Sequence, residues 1–207
     1  MTSTSSIDTK EHILNIAEYL FAENGFAGTS LRSVIREADV NLSAVHYHFG
    51  SKEELFRAVV ERIAKPVVTG QLEQLAQCEA KSDTPSVEEL LEAFLTPPLQ
   101  RVLNIGDRRP NCARFMGRCR IEPDTIRKIA EQAFQDSTKA FLDGFGRALP
   151  DFSRTELSWK LDLVIAVLVR VLTEAKKPNA LIQNDSPADI QTTVSKLVHF
   201  LAPGMRS

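Results

Sequence analysis

At five points along this chain the sequence offers a helix-capping box, a Ser or Asp three residues before an acid: Asp8-x-x-Glu11, Ser51-x-x-Glu54, Ser86-x-x-Glu89, Ser153-x-x-Glu156 and Ser186-Pro-x-Asp189. A short oxygen-bearing side chain at that spacing accepts hydrogen bonds from the free N–H groups that open an α-helix, and the acid reaches back to the capping residue. Between these points apolar residues recur at three- and four-residue steps, while alternating strand patterns are missing. The sequence therefore predicts an all-α fold.

The first helix is expected from about residue 9 to 24, burying Ile13, Leu14, Ala17, Leu20 and Phe21, with Gly25 supplying the left-handed residue that ends it. A second, over 30–38, places Leu31, Val34, Ile35 and Ala38 on one face, and a third, over 42–49, turns Val45 and Phe49 inward. Only Asp39, Val40 and Asn41 separate these two, so they must cross steeply, with Val40 in the junction and Asn41 as the cap of the third helix. That is the pattern of a helix-turn-helix. A long helix over 51–80 follows, kinked at Pro66. Further helices are expected over 86–95, 98–103, 112–120, 123–149, 154–176 and 187–201. The natural division is an N-terminal three-helix domain, 1–56, and a C-terminal helical domain, 57–207.

Charge does not point to a polyanion partner. The formal net charge is −2, and residues 1–56 carry four Lys and Arg (Lys10, Arg32, Arg36, Lys52) against eight acids. Any nucleic-acid claim must rest on local arrangement. The cysteines, Cys78, Cys112 and Cys119, are odd in number and lack metal-site spacing, so reduced thiols and no bound metal or cofactor are expected. The longest apolar run, 163–169, is too short for a membrane span, and the polar residues 1–6 do not form a secretory signal, so a cytoplasmic protein is expected. Beyond residue 57 there is no Gly-rich phosphate loop and no nucleophile with a spaced His and acid, so the chain does not read as an enzyme.

Residues 26–55, from Phe26-Ala-Gly-Thr-Ser-Leu-Arg to Tyr47-His-Phe-Gly-Ser-Lys-Glu-Glu-Leu55, closely resemble the N-terminal domain of TetR-family regulators. The elements that carry the resemblance are Gly25-Phe26, Thr29, the Ala38-x-Val40 turn, His48-Phe49 and Ser51-Lys52-x-x-Leu55. Two positions depart from the family pattern. Asp39 stands where Gly is usual, tolerable because Asp accepts left-handed geometry better than most residues, and His46 stands where Tyr is common, with Tyr47 one residue later. The resemblance implies a homodimer on double-stranded operator DNA, controlled by a small-molecule effector. It further implies that Arg32 reaches a base edge, that Ser43, Ala44 and Tyr47 touch bases or sugar, and that Thr29, His46, His48 and Lys52 hold phosphates. From the residues alone, Asn41, Ser43, Ala44, His46, Tyr47 and His48 form an outward face of small or hydrogen-bonding groups suited to a major groove. Tyr47 and His48 can also be read as cover for the domain's own core, and Thr29 as a cap.

Over 159–175 nearly every helical face is apolar, so one-sided packing cannot satisfy it, and 187–201 adds a stripe of Ile190, Val194, Leu197, Val198 and Leu201. The resemblance implies that these two helices pair with their copies as a four-helix interface. It also implies a ligand pocket among the central helices, for which Phe94, Leu103, Phe115, Cys119 and Phe141 are candidates. Arg114 and Arg118, four residues apart beside the Cys112–Phe115–Met116–Cys119 face, suit the head group of a fatty acid or acyl-coenzyme A. They can equally be surface arginines paired with acids such as Glu122 and Asp124.

Overall fold

The computed structural model describes residues 6–104, 109–175, 177–183 and 186–207, with side chains from residue 9 onward except 102–110. Among the described residues it contains ten helices and no strand: α1 (Ser6–Gly28), α2 (Leu31–Ala38), α3 (Leu42–Phe49), α4 (Lys52–Glu79), α5 (Val87–Asn104), α6 (Arg109–Cys119), α7 (Asp124–Ala133), α8 (Gln135–Ala148), α9 (Arg154–Glu174) and α10 (Pro187–Arg206).

Local chemistry accounts for most helix starts. Ser51, Ser86, Ser153 and Ser186 each accept the backbone N–H three residues on, at 3.1–3.3 Å. Ser86 and Ser153 complete the box, because Glu89 and Glu156 accept their backbone N–H groups. The fifth box is not a cap: α1 begins at Ser6, which leaves Asp8 inside its first turn. Ser30 caps α2 through Ser33, a Ser–Ser box that the acid-based pattern overlooks.

Three expected helix boundaries are corrected. The segments 86–95 and 98–103 form one helix, α5, running straight through Pro97 and Pro98. Pro98 cannot donate to the Phe94 carbonyl, and the Gln71 side chain on α4 donates to it instead at 2.9 Å. Conversely, 123–149 is two helices, because Phe134 leaves helical geometry (φ −105°, ψ 4°) between α7 and α8. The last helix also extends past Leu201 and through Pro203 to Arg206.

The helices group into two compact units that do not follow chain order. Residues 1–64 and 107–133 form the first, and 65–106 and 134–207 the second, the division falling inside α4 beside Pro66. The first unit buries Ile13, Leu14, Ala17, Val34, Ala38, Val45 and Phe49 around an aromatic group in which Phe21, Phe56 and Phe115 lie 5.1–6.4 Å apart. The second buries a larger apolar core from α5, α8, α9 and α10, including Leu90, Leu91, Leu95, Phe141, Phe145, Leu161 and Leu197. None of the described helices is long and apolar enough to cross a membrane.

Candidate nucleic-acid interface

The turn between α2 and α3 takes the form its residues demand. Asp39 ends α2 in left-handed geometry (φ 51°, ψ 45°), its N–H bonded to the Ile35 carbonyl. Asn41 then caps α3, its Oδ1 accepting the Ala44 N–H at 2.8 Å. Buried Val45 and Phe49 fix α3 against the first unit, which fixes its opposite face outward. On that face Asn41, Ser43, His46 and Tyr47 are exposed, while Ala44 and His48 are half-buried. Tyr47 is 83% exposed, too open to be cover for a core, and its ring meets the His48 ring edge-on at 5.1 Å. Arg32, in the first turn of α2, is exposed as well. His46 Nδ1 lies 2.9 Å from the Gly50 carbonyl, which orients its ring across the end of α3.

Thr29 and Lys52 are placed differently. Thr29 is 2% exposed, and its hydroxyl engages the carbonyls of Leu20 and Gly25 at 3.0 and 2.9 Å. Lys52 Nζ donates to the carbonyls of Phe26 and Thr29 at 3.0 and 3.1 Å and sits 4.1 Å over the Phe26 ring. Both side chains therefore brace the α1–α2 turn from within, and the third ammonium hydrogen of Lys52 is what it has left for another partner.

Three further clasps, which the sequence reading missed, hold this unit. His12 Nε2 lies 3.0 Å from the Ala38 carbonyl at the end of α2. Arg62, on α4, donates to Glu11, Asn15, the Leu14 carbonyl and Glu18, the last at 2.6 Å with Glu18 only 1% exposed. Glu122, in the α6–α7 connection, accepts the Phe26 N–H at 2.9 Å and pairs with Arg118 at 3.7 Å. Directly beneath it Gly25 has φ +71°, and a Cβ there would stand 2.7 Å from Glu122 Oε1. Only glycine fits this backbone and this approach.

The effector candidates are divided between the units. Phe94 and Phe141 belong to the second, their rings 5.0 Å apart edge to face, and the side chain of Leu103 lies outside the described residues. Arg114, Phe115, Arg118 and Cys119 belong to the first. Phe115 is fully buried against Phe21 and Phe56. Arg114 pairs with Glu23 and Arg118 with Glu122, which is the ion-paired alternative left open above. All three cysteines are outside disulfides, and burial pushes the Cys119 thiol well above its ordinary range.

Comparison with known proteins is decisive at the level of family. Residues 13–59 match the model for bacterial regulatory proteins of the tetR family, and residues 92–204, more than half the chain, match a tetracyclin repressor-like C-terminal domain. The chain belongs to the TetR family. Members of this family are DNA-binding regulators of transcription, not enzymes. Among curated relatives, the HTH-type transcriptional regulator AcrR of Shigella flexneri is 31% identical over 107 residues, 49% of either chain. This TetR-family chain thus spans about half the length of the curated relatives it matches, or less. Among solved structures, a putative tetR family regulator from Shewanella sp. PV-4 superposes with a TM-score of 0.66 at 18% identity, covering 95% of this chain and 97% of that one. The fatty acid degradation regulator FadR from Bacillus halodurans gives 0.64 at 14% identity, covering 100% and 99%. At such identities the likeness extends to the fold alone.

Proposed function

We propose that the protein is a cytoplasmic, effector-responsive repressor that binds a pseudopalindromic operator as a homodimer. The observation that carries this reading is the outward face of α3. Its core side is pinned by Val45 and Phe49, and Tyr47 stands fully open beside Ser43 and His46. A short rigid helix with small and hydrogen-bonding groups outward fits a major groove. Arg32, Asn41, Ser43, Ala44, His46, Tyr47 and His48 form the DNA-facing set. Thr29 holds that set in place from behind, and Lys52 does so while offering its remaining donor to a phosphate. Because residues 1–56 carry an acidic excess, affinity depends on these few contacts rather than on general charge.

Support for the dimer comes from α9 and α10. Trp159, Leu163 and Phe200 are 53%, 54% and 72% exposed, next to half-buried Val167 and Val198 on the same helices. Large apolar groups exposed together mark a surface that a partner covers. A second copy seated there would hold two α3 helices about 34 to 36 Å apart, one turn of DNA. Residues 1–56 serve DNA binding in this scheme and 57–207 serve dimerisation and effector control, with α4, which has residues in both units, carrying the shift.

The effector is a small, largely apolar molecule held near Phe94 and Phe141. A fatty acid or acyl-coenzyme A held by Arg114 or Arg118 is the other reading, in which the head group displaces Glu23 or Glu122, and titration of acyl-coenzyme A into the operator complex tests it.

Selection of DNA fragments by the purified protein tests the core of the proposal. A recovered inverted repeat is expected, with Arg32→Ala costing about 1 to 3 kcal/mol on that site and little on random DNA. Leu163→Glu or Phe200→Glu should give monomers that no longer bind it. Equal loss on specific and random DNA removes Arg32 from base readout, and a stable wild-type monomer in light scattering at micromolar concentration overturns the dimer.

A further inference from the structure

The second unit buries few polar side chains: Gln71, Thr96, Ser137, Lys160 and Thr193. Most are engaged within their own surroundings. Thr96 and Ser137 donate to carbonyls of their own segments, those of Glu92 and Phe134. Lys160 donates to the Gly204 carbonyl and lies over the rings of Phe152 and Trp159. Gln71 is different. It is 3% exposed, and its Oε1 has no hydrogen-bond partner.

The orientation of that amide is determined by its partner. The Phe94 carbonyl can only accept, so the atom 2.9 Å from it must be Nε2, and Oε1 points the other way. A buried amide oxygen without a donor is costly and calls for an explanation in a folded protein. Two neighbouring features sharpen it. Pro97 removes the helical donor of the Ala93 carbonyl, another buried acceptor one residue before Phe94. The ring of Phe94, the residue whose carbonyl Gln71 engages, packs edge to face on Phe141. What this region has unused is acceptor capacity, and Lys160, the one buried cation among the described residues of the unit, is committed elsewhere.

We propose that Gln71 Oε1 is the polar anchor of the effector site, and that the effector is an uncharged apolar molecule presenting a single O–H or N–H donor, such as a phenol, alcohol or amide. This rests on the reading of the protein as effector-responsive and narrows the ligand class. An ionised carboxylate has no hydrogen to donate, so the head group of a fatty-acid anion cannot satisfy this group. A site built to pair with a donor rejects the analogue that lacks it, because the acceptor is then left buried and unpaired.

The test compares 4-alkylphenols of two to ten chain carbons with their O-methyl ethers and with decanoate, by isothermal titration into the DNA-free protein. At the best chain length the phenol should bind at least tenfold tighter than its ether and tighter than decanoate, and Gln71→Met should bring the phenol-to-ether ratio close to one. Where Gln71→Met does not fold, the side-chain amide resonances of Gln71 in isotopically labelled wild type should move with the phenol and not with the ether. Equal binding of phenol and ether, preference for decanoate, no binding by any phenol, or discrimination that survives Gln71→Met overturns the proposal. Because DNA is absent from the titration, operator selection on the same preparation reports separately on whether the protein is a DNA-binding regulator.

Discussion

The two compact units are held by different chemistry. In the first, side chains reach across long stretches of sequence to backbone carbonyls and N–H groups: Lys52 to Phe26 and Thr29, Arg62 to Leu14, Glu122 to Phe26, His12 near Ala38. In the second, an apolar core drawn from α5, α8, α9 and α10 dominates, and its polar links are mostly exposed ion pairs such as Arg206–Glu88 and Arg147–Glu79. Directional hydrogen bonds fix orientation, whereas apolar packing of similar volume tolerates adjustment. A unit that must present Arg32 and Tyr47 in register with base edges gains from the first kind of link. One that must accept a ligand and a second copy gains from the second.

The largest expected effect breaks the first unit. Arg62→Met removes four donors, among them the guanidinium that meets Glu18, which is 1% exposed, at 2.6 Å. Breaking a buried pair in this way costs about 3 to 5 kcal/mol. The double variant Arg62→Met, Glu18→Leu should recover a substantial part of that, as read by denaturant unfolding. If the single variant loses no more than a surface charge would, the contrast between the units fails.

Next in size is the glycine comparison. Gly25 has φ +71° and ψ 179°, a conformation essentially restricted to glycine, and Glu122 closes over it. Gly25→Ala should cost about 1 to 3 kcal/mol from the backbone alone, and more if Glu122 is expelled. Operator affinity should fall too, since the Phe26 N–H loses its acceptor. Gly204, inside α10, has nothing within 4 Å of an added Cβ. There alanine should stabilise by roughly 0.5 to 1 kcal/mol, because a helical glycine loses more backbone freedom on folding. Opposite signs in the same melting assay sharpen the comparison, and a shared sign defeats it.

How much of this was legible in the sequence follows from the distance over which each feature acts. Asp39, Asn41, Val45 and Phe49 lie within eleven residues of one another, so their spacing alone specifies the turn, the cap and the buried side of α3. The clasp between Phe26 and Glu122 spans 96 residues and leaves no local signal. Arg62 does leave one: it is a cation within a buried stripe of Val59, Ile63 and Ala64, where a charge needs a partner. Pro97-Pro98 reads locally as a helix break, yet α5 continues through both, and Gln71, 23 residues from Phe94, supplies the donor that Pro98 lacks. At the effector candidates, pattern identified apolar faces and not their neighbours. The stripe through Phe115 is real and packs on Phe21 and Phe56 within the first unit, while Phe94 and Phe141 pack on each other within the second.

The smallest expected effect comes from the same chemical pair as the largest, a guanidinium on a carboxylate, placed in the second unit. Arg206, near the end of α10, meets Glu88 at the start of α5, and both side chains are nearly half exposed. Hydrogen bonds from Arg206 hold the Glu88 carboxyl below its ordinary range. A carboxyl whose pKa is lowered by folding adds stability above its unfolded value of about 4.3, and loses it as pH falls through the lower folded value. Arg206→Gln should therefore melt slightly below wild type at pH 7, and the two should converge once the pH falls below the lowered pKa of Glu88 in the folded protein, where its carboxyl takes up a proton. Water and salt screen the pair, so the difference at pH 7 should shrink further in about 1 M salt, where the screening length is roughly 3 Å. Calorimetric melts of both proteins at the two pH values and two salt levels give the four differences. A gap that persists in acid, or one that rivals the Arg62→Met loss, shows that burial is not what separates the two pairs and that the second unit also relies on directed polar links.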